Sequence, residues 1–385
     1  RNIEEFEQDY PSARTILLEQ NYRSTQNILS AANAVISRNS GRREKNLWTA
    51  AGDGAPITGY VADSEHDEAR WISQEVDRLA DEHGVRPRDV AVFYRTNAQS
   101  RALEEAFMRA GQPYKVIGGT RFYDRREIKD AIAYLRAVDN PDDDVNLRRI
   151  LNVPKRGLGD KAEGALAEHA ARYAVSFGQA VADAAGAPRE AQTGETENAD
   201  GQAPSTGAGE PPEVEGLTTR ARNQVRGFHE LLTTLRHMVT AGDGVADVLD
   251  SALDASGYLA ELRASDDPQD ATRVENLAEL HSVASDFQAA NPDGTLADFL
   301  ERVSLVADSD QLPPSADLED EDARQAEEQG QITLMTVHTA KGLEFPVVFV
   351  TGMEDGTFPH SRSLTEETEL AEERRLAYVA LTRAR

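Results

Sequence analysis

The chain has 385 residues, 39% hydrophobic and 28% charged, with a formal net charge of −27 and no cysteine. This length exceeds one ordinary domain and can bury more than one core. Zero cysteine excludes a disulfide framework and thiolate metal sites, and an overall acidic surface repels a polyanion, so a nucleic-acid site here must be a local basic groove.

The excess acid is concentrated. Residues 183–215 hold eight acids against one base, and residues 307–330 nine against one. Both stretches read as solvated, poorly ordered segments rather than binding faces. No apolar run reaches membrane-spanning length and no basic-then-apolar leader opens the sequence. The composition fits a reducing cytoplasm.

In chain order, short β-branched runs predict strands at Thr15–Leu18, Ile57–Val61, Val90–Tyr94 and Tyr114–Ile117. Helical periodicity predicts Thr25–Ser37, Glu68–Leu79 and Ser100–Arg109, the last with Leu103, Phe107 and Ala110 on one stripe and Gly111 as its stop. Such alternation argues for a mostly parallel α/β sheet. From about Glu127 to Val306 strand runs vanish and helical patterns dominate, as at Ile128–Ala137, Thr218–Val239 and Ala271–Phe287. Strands resume at Ile332–Val337 and Val347–Val350. The expected organisation is an α/β domain over residues 1–122 and 316–385, interrupted by an all-helical insert over 123–315. That insert carries a flexible acidic loop at about 184–216.

Three stretches carry candidate chemistry. In Leu18-Glu19-Gln20-Asn21-Tyr22-Arg23-Ser24-Thr25 an aromatic adjoins an arginine where a strand meets a helix. Such a pair can stack a base and reach a phosphate with a planar, permanently charged fork. The plainer reading is a helix cap supplied by Ser24 or Thr25 beside a surface arginine. Met335-Thr336-Val337-His338-Thr339-Ala340-Lys341-Gly342-Leu343-Glu344-Phe345-Pro346 forms a polar loop between two buried strands, where α/β sheets bind ligands. Taken singly, His338 reads equally as a structural histidine and Lys341 as a solvated turn. Glu372-Glu373-Arg374-Arg375-Leu376-Ala377-Tyr378-Val379-Ala380-Leu381-Thr382-Arg383-Ala384 reads as a helix running to the chain end. Its apolar stripe of Leu376, Val379 and Ala380 ends on Arg383, which also suits a helix C-terminus. Val153-Pro154-Lys155-Arg156-Gly157-Leu158-Gly159 adds two glycines that let a backbone approach a phosphate with basic side chains pointing outward. An ordinary interhelical turn explains it as well.

Together these residues resemble the UvrD/PcrA/Rep family of superfamily 1 helicases, over nearly the whole chain apart from the acidic stretches. Asn21-Tyr22-Arg23-Ser24 is similar to family motif IV, Val337–Phe345 to motif V and Tyr378–Ala384 to motif VI. The resemblance implies a RecA-like parallel-sheet domain, of the P-loop-NTPase type but without its own P-loop, interrupted by the all-helical insert. It implies that Tyr22 stacks on adenine and that Arg23 and Arg383 are the catalytic arginines on the γ-phosphate, where charge develops during hydrolysis. Glu344 would accept from the ribose. Asn97, Arg121, His338 and His360 would line a single-strand DNA path, and Lys155, Arg156, Gly157 and Gly159 would grip duplex DNA.

No Gly-x-x-x-x-Gly-Lys-[Ser/Thr] occurs in the chain. Asp67-Glu68-Ala69-Arg70 only superficially resembles a Mg²⁺-binding acidic box, and reads as acids favoured at a helix N-terminus. ATP and Mg²⁺ are the expected cofactors, with the metal ligands in an N-terminal half missing from this chain and no metal site here. The expectation is therefore the C-terminal half of an ATP-dependent 3′→5′ DNA helicase, inactive alone. Its expected partners are single-stranded DNA, single/double-strand junctions, its own N-terminal half and repair proteins, with no membrane. The expected location is bacterial cytoplasm, on the nucleoid. The alternative is a non-catalytic module that binds DNA or protein. A helicase subunit of a nuclease complex is disfavoured, because nothing resembles a nuclease motif.

Overall fold

The structure is a computed structural model describing residues 10, 12, 16–39, 46–188, 212–309 and 329–385. The chain forms two compact units, Arg1–Arg121 with Pro314–Arg385, and Phe122–Pro313.

In the first unit β1 (Val90–Tyr94), β2 (Tyr114–Ile117), β3 (Ile332–Thr336) and β4 (Val347–Val350) form one parallel sheet in the order β2-β3-β1-β4. Central β1 is buried at every position, as a parallel strand covered on both faces must be. Period-two alternation sorts its side chains. Val90, Val92 and Tyr94 meet Ala69, Ile72 and Val76 of α2 (Glu65–His83) and Leu103 and Phe107 of α3 (Ser100–Arg109). Ala91 and Phe93 face the other way, toward α1 (Gln26–Ile36) through Val35 and toward Ala377 and Ala380 of α13 (Glu367–Leu381). Adjacent strands β2 and β3 pair Tyr114 with Ile332, although the whole second unit separates them in sequence. A parallel pair demands a crossover connection, and here the crossover is itself a folded unit.

Helix boundaries follow local chemistry. The Ser64 side chain caps α2 by accepting from Asp67 N, Glu65, Asp67 and Glu68 occupy its positive first turn, and Gly84 ends it in the left-handed region. The resemblance to a metal box at Asp67–Arg70 is thus a helix start. Past α3, Gly111 adopts φ +67°, and Gln112 N returns to Phe107 O at 2.9 Å.

Two expected strands did not form. Residues 16–18 are exposed and unpaired as strand, and Thr15 lies outside the described residues. Ile57–Val61 belongs to no strand. Its Tyr60 ring instead stacks on Trp71 of α2 at 4.6 Å, so a ring contact takes the place of a ladder. The C-terminal helix also differs: α13 stops at Leu381 and the chain turns at Thr382.

The second unit contains, among the described residues, nine helices: α4 (Arg126–Asp139), α5 (Asp144–Ile150), α6 (Asp160–Tyr173), α7 (Phe177–Ala185), α8 (Thr219–Ala241), α9 (Val245–Ala255), α10 (Tyr258–Arg263), α11 (Pro268–Ala290) and α12 (Leu296–Ser309). Helix α4 is the hub, apolar and buried on nearly every side through Ile128, Ala131, Ala133, Tyr134, Leu135 and Val138. Its buried polar groups are paired, as burial requires. Asp130 accepts from Arg149 Nε at 2.8 Å and the Tyr258 hydroxyl at 3.1 Å, and Asn276 bridges Glu127 and Arg125 at 2.6 and 2.9 Å. Helix α7 runs to Ala185, past the expected start of the acidic loop at about residue 184, and is capped by Gly186 at φ +77°. Residues 189–211 and 310–328, which hold most of both acidic stretches, lie outside the described residues.

Two glycines in this unit give opposite expectations. A Cβ on Gly178 would lie 1.9 Å from the Pro141 carbonyl oxygen, whereas one on Gly164, inside α6, meets nothing within 4 Å. Gly178→Ala should destabilise by about 1–3 kcal/mol through backbone overpacking. Gly164→Ala should stabilise by about 0.5–1 kcal/mol. Urea midpoints of the two variants check this, and a shared sign would contradict the packing around Pro141.

Candidate functional site

The turn at residues 21–24 is built by Asn21, whose Oδ1 accepts from Arg23 N at 2.8 Å and Ser24 N at 2.9 Å. This local bond bends the chain into α1 and leaves the Tyr22 ring 85% exposed, its hydroxyl donating to Gln20 Oε1 at 2.9 Å. Ser24 is fully buried, and its hydroxyl donates to the Ala384 carbonyl rather than capping α1. Thr25 holds the cap position without a side-chain bond, so the cap reading of this stretch fails.

Beyond α13, Phe345 and Ala384 pair as a parallel bridge, Phe345 N donating to Arg383 O at 3.0 Å and Arg385 N to Phe345 O at 3.1 Å. That bridge brings three remote segments together. Arg23 Nε donates to Glu344 Oε2 at 2.5 Å and its Nη1 to Thr382 O at 3.3 Å, and Arg385 Nη2 donates to Glu344 Oε1 at 2.6 Å. A cleft of about 540 Å³ is lined by Gln20, Asn21, Tyr22, Arg23, Glu344 and Arg385. Arg383 stands behind this lining. Its guanidinium donates to Val379 O at 3.1 Å, Leu343 O at 3.3 Å and Thr382 Oγ1 at 3.3 Å, all neutral acceptors.

The electrostatics suit an anion. Hydrogen bonds from Arg23 foremost, then Arg385, hold the Glu344 carboxyl below the usual range. Partial desolvation, and then the neighbouring Arg23 charge, lower Arg383 from its ordinary value. Among the described residues Arg383 has no direct ion pair and feels Glu344 only through its field, so an arriving anion would add the close partner this guanidinium lacks.

A second group of expected residues occupies the loops leaving the carboxyl ends of the strands. Asn97 opens the short turn after β1, exposed His338 follows β3, and Arg121 follows β2 with its guanidinium 5.4 Å from the Tyr114 ring centroid. These loops touch: a Cβ on Gly118 would lie 2.9 Å from Thr339 Oγ1, and one on Gly119 3.7 Å from Asn97 Oδ1. Desolvation, together with the Arg95 charge, holds the His338 imidazole below its usual range, which favours a neutral ring near pH 7. His360 begins the turn Ser361–Ser363, its Nδ1 accepting from Arg362 N at 3.3 Å and its own N–H donating to Glu373 at 3.1 Å.

In the second unit Lys155, Gly157 and Gly159 are exposed, and Gly157 adopts φ +76°. Arg156 departs from the expected outward orientation. It turns inward over the Phe228 ring, donates to the Ile150 and Val153 carbonyls at 2.9 and 3.0 Å, and contacts the Tyr134 hydroxyl. The carbonyls left over where α5 ends outcompete solvent for this guanidinium. Among the described residues no group of His, Cys, Asp and Glu could hold a metal ion.

Sequence reasoning gave no role to Arg95, Glu373 and Arg385, and read Ser24 only as a candidate cap within its motif. For Glu373 a signal existed: it shares the helical stripe of Ala377 and Ala380, and a carboxylate on a buried stripe requires a partner.

A parallel α/β sheet with paired arginines beside an exposed aromatic, interrupted by an all-helical unit, is the architecture of a RecA-like helicase domain. Residues 16–385 match the UvrD-like helicase C-terminal domain, and the chain belongs to that family. It is 53% identical over 399 residues to the ATP-dependent DNA helicase UvrD1 of Mycobacterium tuberculosis, covering 100% of this chain and 47% of that protein. It is 43% identical over 385 residues to the ATP-dependent DNA helicase PcrA of Bacillus subtilis, again covering 100% of the chain and 47% of the relative. The chain thus spans about half the length of the curated relatives it matches.

The rim can be probed directly. In Arg23→Ala and in Arg385→Ala the Glu344 carboxyl should titrate higher than in the parent, because each guanidinium donates to it and lowers it by its charge. Carboxyl ¹³C NMR titration reads both shifts, and an unchanged carboxyl in either variant would contradict the geometry.

Proposed function

We propose that this chain is the C-terminal half of an ATP-dependent 3′→5′ DNA helicase and translocase. In this reading the first unit is the second RecA-like domain and the second unit its inserted helical domain. The observation that carries the reading is the convergence of Arg23 and Arg383 around Thr382, with Glu344 and the exposed Tyr22 on the same rim. The names of the relatives, ATP-dependent DNA helicases, support the substrate assignment.

The rim residues fit a nucleoside triphosphate. Tyr22 presents an open aromatic face for adenine. With Nε and Nη1 each in use once, Arg23 retains three N–H donors for phosphate oxygens. Arg383 stabilises charge as it develops on the γ-phosphate, from a partly desolvated position where that interaction is strong. Glu344 holds Arg23 and Arg385 apart and oriented, and exchanging one of those bonds lets it accept from a ribose hydroxyl. The phosphate-cradling loop and the carboxylates for Mg²⁺ belong, on this reading, to the part of the relatives' length that this chain does not match.

Asn97, Arg121, His338 and His360 line the single-strand path, with donors for phosphates and surfaces for stacking. Lys155, Gly157 and Gly159 form the duplex contact on the helical unit. Arg156 braces that loop from within. The protein's place is the bacterial cytoplasm, at single/double-strand DNA junctions. No helix among the described residues is long and apolar enough to cross a membrane.

In the complete protein, Arg23→Ala or Arg383→Ala should each lower kcat for DNA-stimulated ATP hydrolysis by about 10²–10³-fold. Tyr22→Ala should chiefly raise KM for ATP. The 385-residue chain alone should show negligible turnover. Wild-type kcat in either arginine variant, or brisk hydrolysis by this chain alone, would refute the assignment, and steady-state phosphate release measures both.

A further inference from the structure

Glu373 is 4% exposed, and its carboxylate gathers two separate loops. Arg95 Nε lies 3.0 Å from both oxygens and Arg95 Nη2 2.8 Å from Oε1, a two-toothed ion pair across 278 residues of sequence. The His360 backbone N–H donates to Oε2 at 3.1 Å. Burial by itself would raise this carboxyl, but the Arg95 bonds and the His360 N–H outweigh it and hold it below the usual range. The group is therefore ionised at neutral pH.

Its position on α13 gives the pair a consequence. Arg95 runs directly into Thr96-Asn97, whose backbone is further held by Gln99 Oε1, 2.9 Å from both Arg95 N and Thr96 N. The Asn97 and His360 loops are thus tied to one carboxylate. Eight residues further along, α13 ends at Leu381, next to the turn that carries Thr382 and Arg383. At 1.5 Å per residue that is roughly 12 Å of unbroken helix. Between the two ends, Ala377 and Ala380 pack against the sheet face of Ala91 and Phe93.

We propose that Glu373 is a positioning residue through which helix α13 couples the arginine rim at Arg383 to the strand-end loops of Asn97 and His360. The inference rests on the reading of the rim as the nucleotide face and the loops as the DNA path. When Arg383 engages an anion, any shift of α13 carries Glu373 with it. A buried carboxylate stripped of its partners is costly, so Arg95 and His360 follow the helix rather than release it. A shift of α13 biased by both sites would give them a shared equilibrium, which is what coupling requires.

The test uses the complete protein and a labelled single-stranded oligonucleotide. Kd is measured with and without a non-hydrolysable ATP analogue, and the ratio of the two is the coupling. Glu373→Gln keeps the shape but removes the charge, and should bring the ratio at least about fivefold closer to one. Arg95→Lys keeps a charge but loses the fork, and should act in the same direction by less. A pair that merely staples the fold would lower the melting temperature and scale both affinities alike, leaving the ratio at its wild-type value. That result overturns the inference. Should Glu373→Gln fail to fold, Arg95→Lys decides by the same criterion. A wild-type protein without DNA-stimulated ATP turnover defeats the functional reading itself, and the coupling with it.

Discussion

The first unit depends on one short contact, the Phe345–Ala384 bridge, with the buried Ser24 hydroxyl donating to the Ala384 carbonyl 360 residues away. The bridge sets the segment after α13 beside the segment entering β4, and Ser24 draws the start of α1 onto both. Only with that closure can the Glu344 carboxylate sit between Arg23 and Arg385. The ion pairs themselves are partly exposed and contribute little to stability. Their value is orientation, because each guanidinium is presented at a fixed angle with donors to spare.

The loop from Val337 to Pro346 has two duties. It leaves β3 with His338 among the strand-end loops and enters β4 with Glu344 in the arginine rim. Gly118, at φ +80°, lets the loop after β2 come within van der Waals reach of Thr339, so the turns bearing Arg121 and His338 form one surface. A parallel sheet gathers such loops at one edge because every strand runs the same way. Anion-binding and strand-end residues thus share one small domain in which α13 runs from one group to the other.

The charge balance takes on a clearer meaning beside the fold. Most of the concentrated acid falls on residues 189–211 and 310–328, outside the described residues, while the rim carries Arg23, Arg383 and Arg385 around the one carboxylate of Glu344. A chain with net charge −27 can therefore present a locally basic surface. Screening confines each charge's reach to about 8–10 Å at physiological salt, so acid beyond that distance does not cancel local base.

The sequence alone determined the central strands, the helical periods, the swap from α/β to all-helical pattern, and the stretches that match the family. Each of these depends on spacing between neighbours: the all-apolar run of Val90–Tyr94, the stripe of Leu103 and Phe107, the acids after Ser64. Tertiary structure decided whatever depended on a partner far along the chain. Ile57–Val61 has strand composition, yet Tyr60 met the Trp71 ring and no ladder formed. Arg156 has the look of a phosphate ligand, yet the end of α5 offered carbonyls closer than solvent. Ser24 resembled a helix cap until the far end of the chain supplied a better acceptor, and Glu373 resembled one acid among several until Arg95 reached it. Hydrogen-bond partners and burial are set by what folding brings near, and local spacing does not encode them.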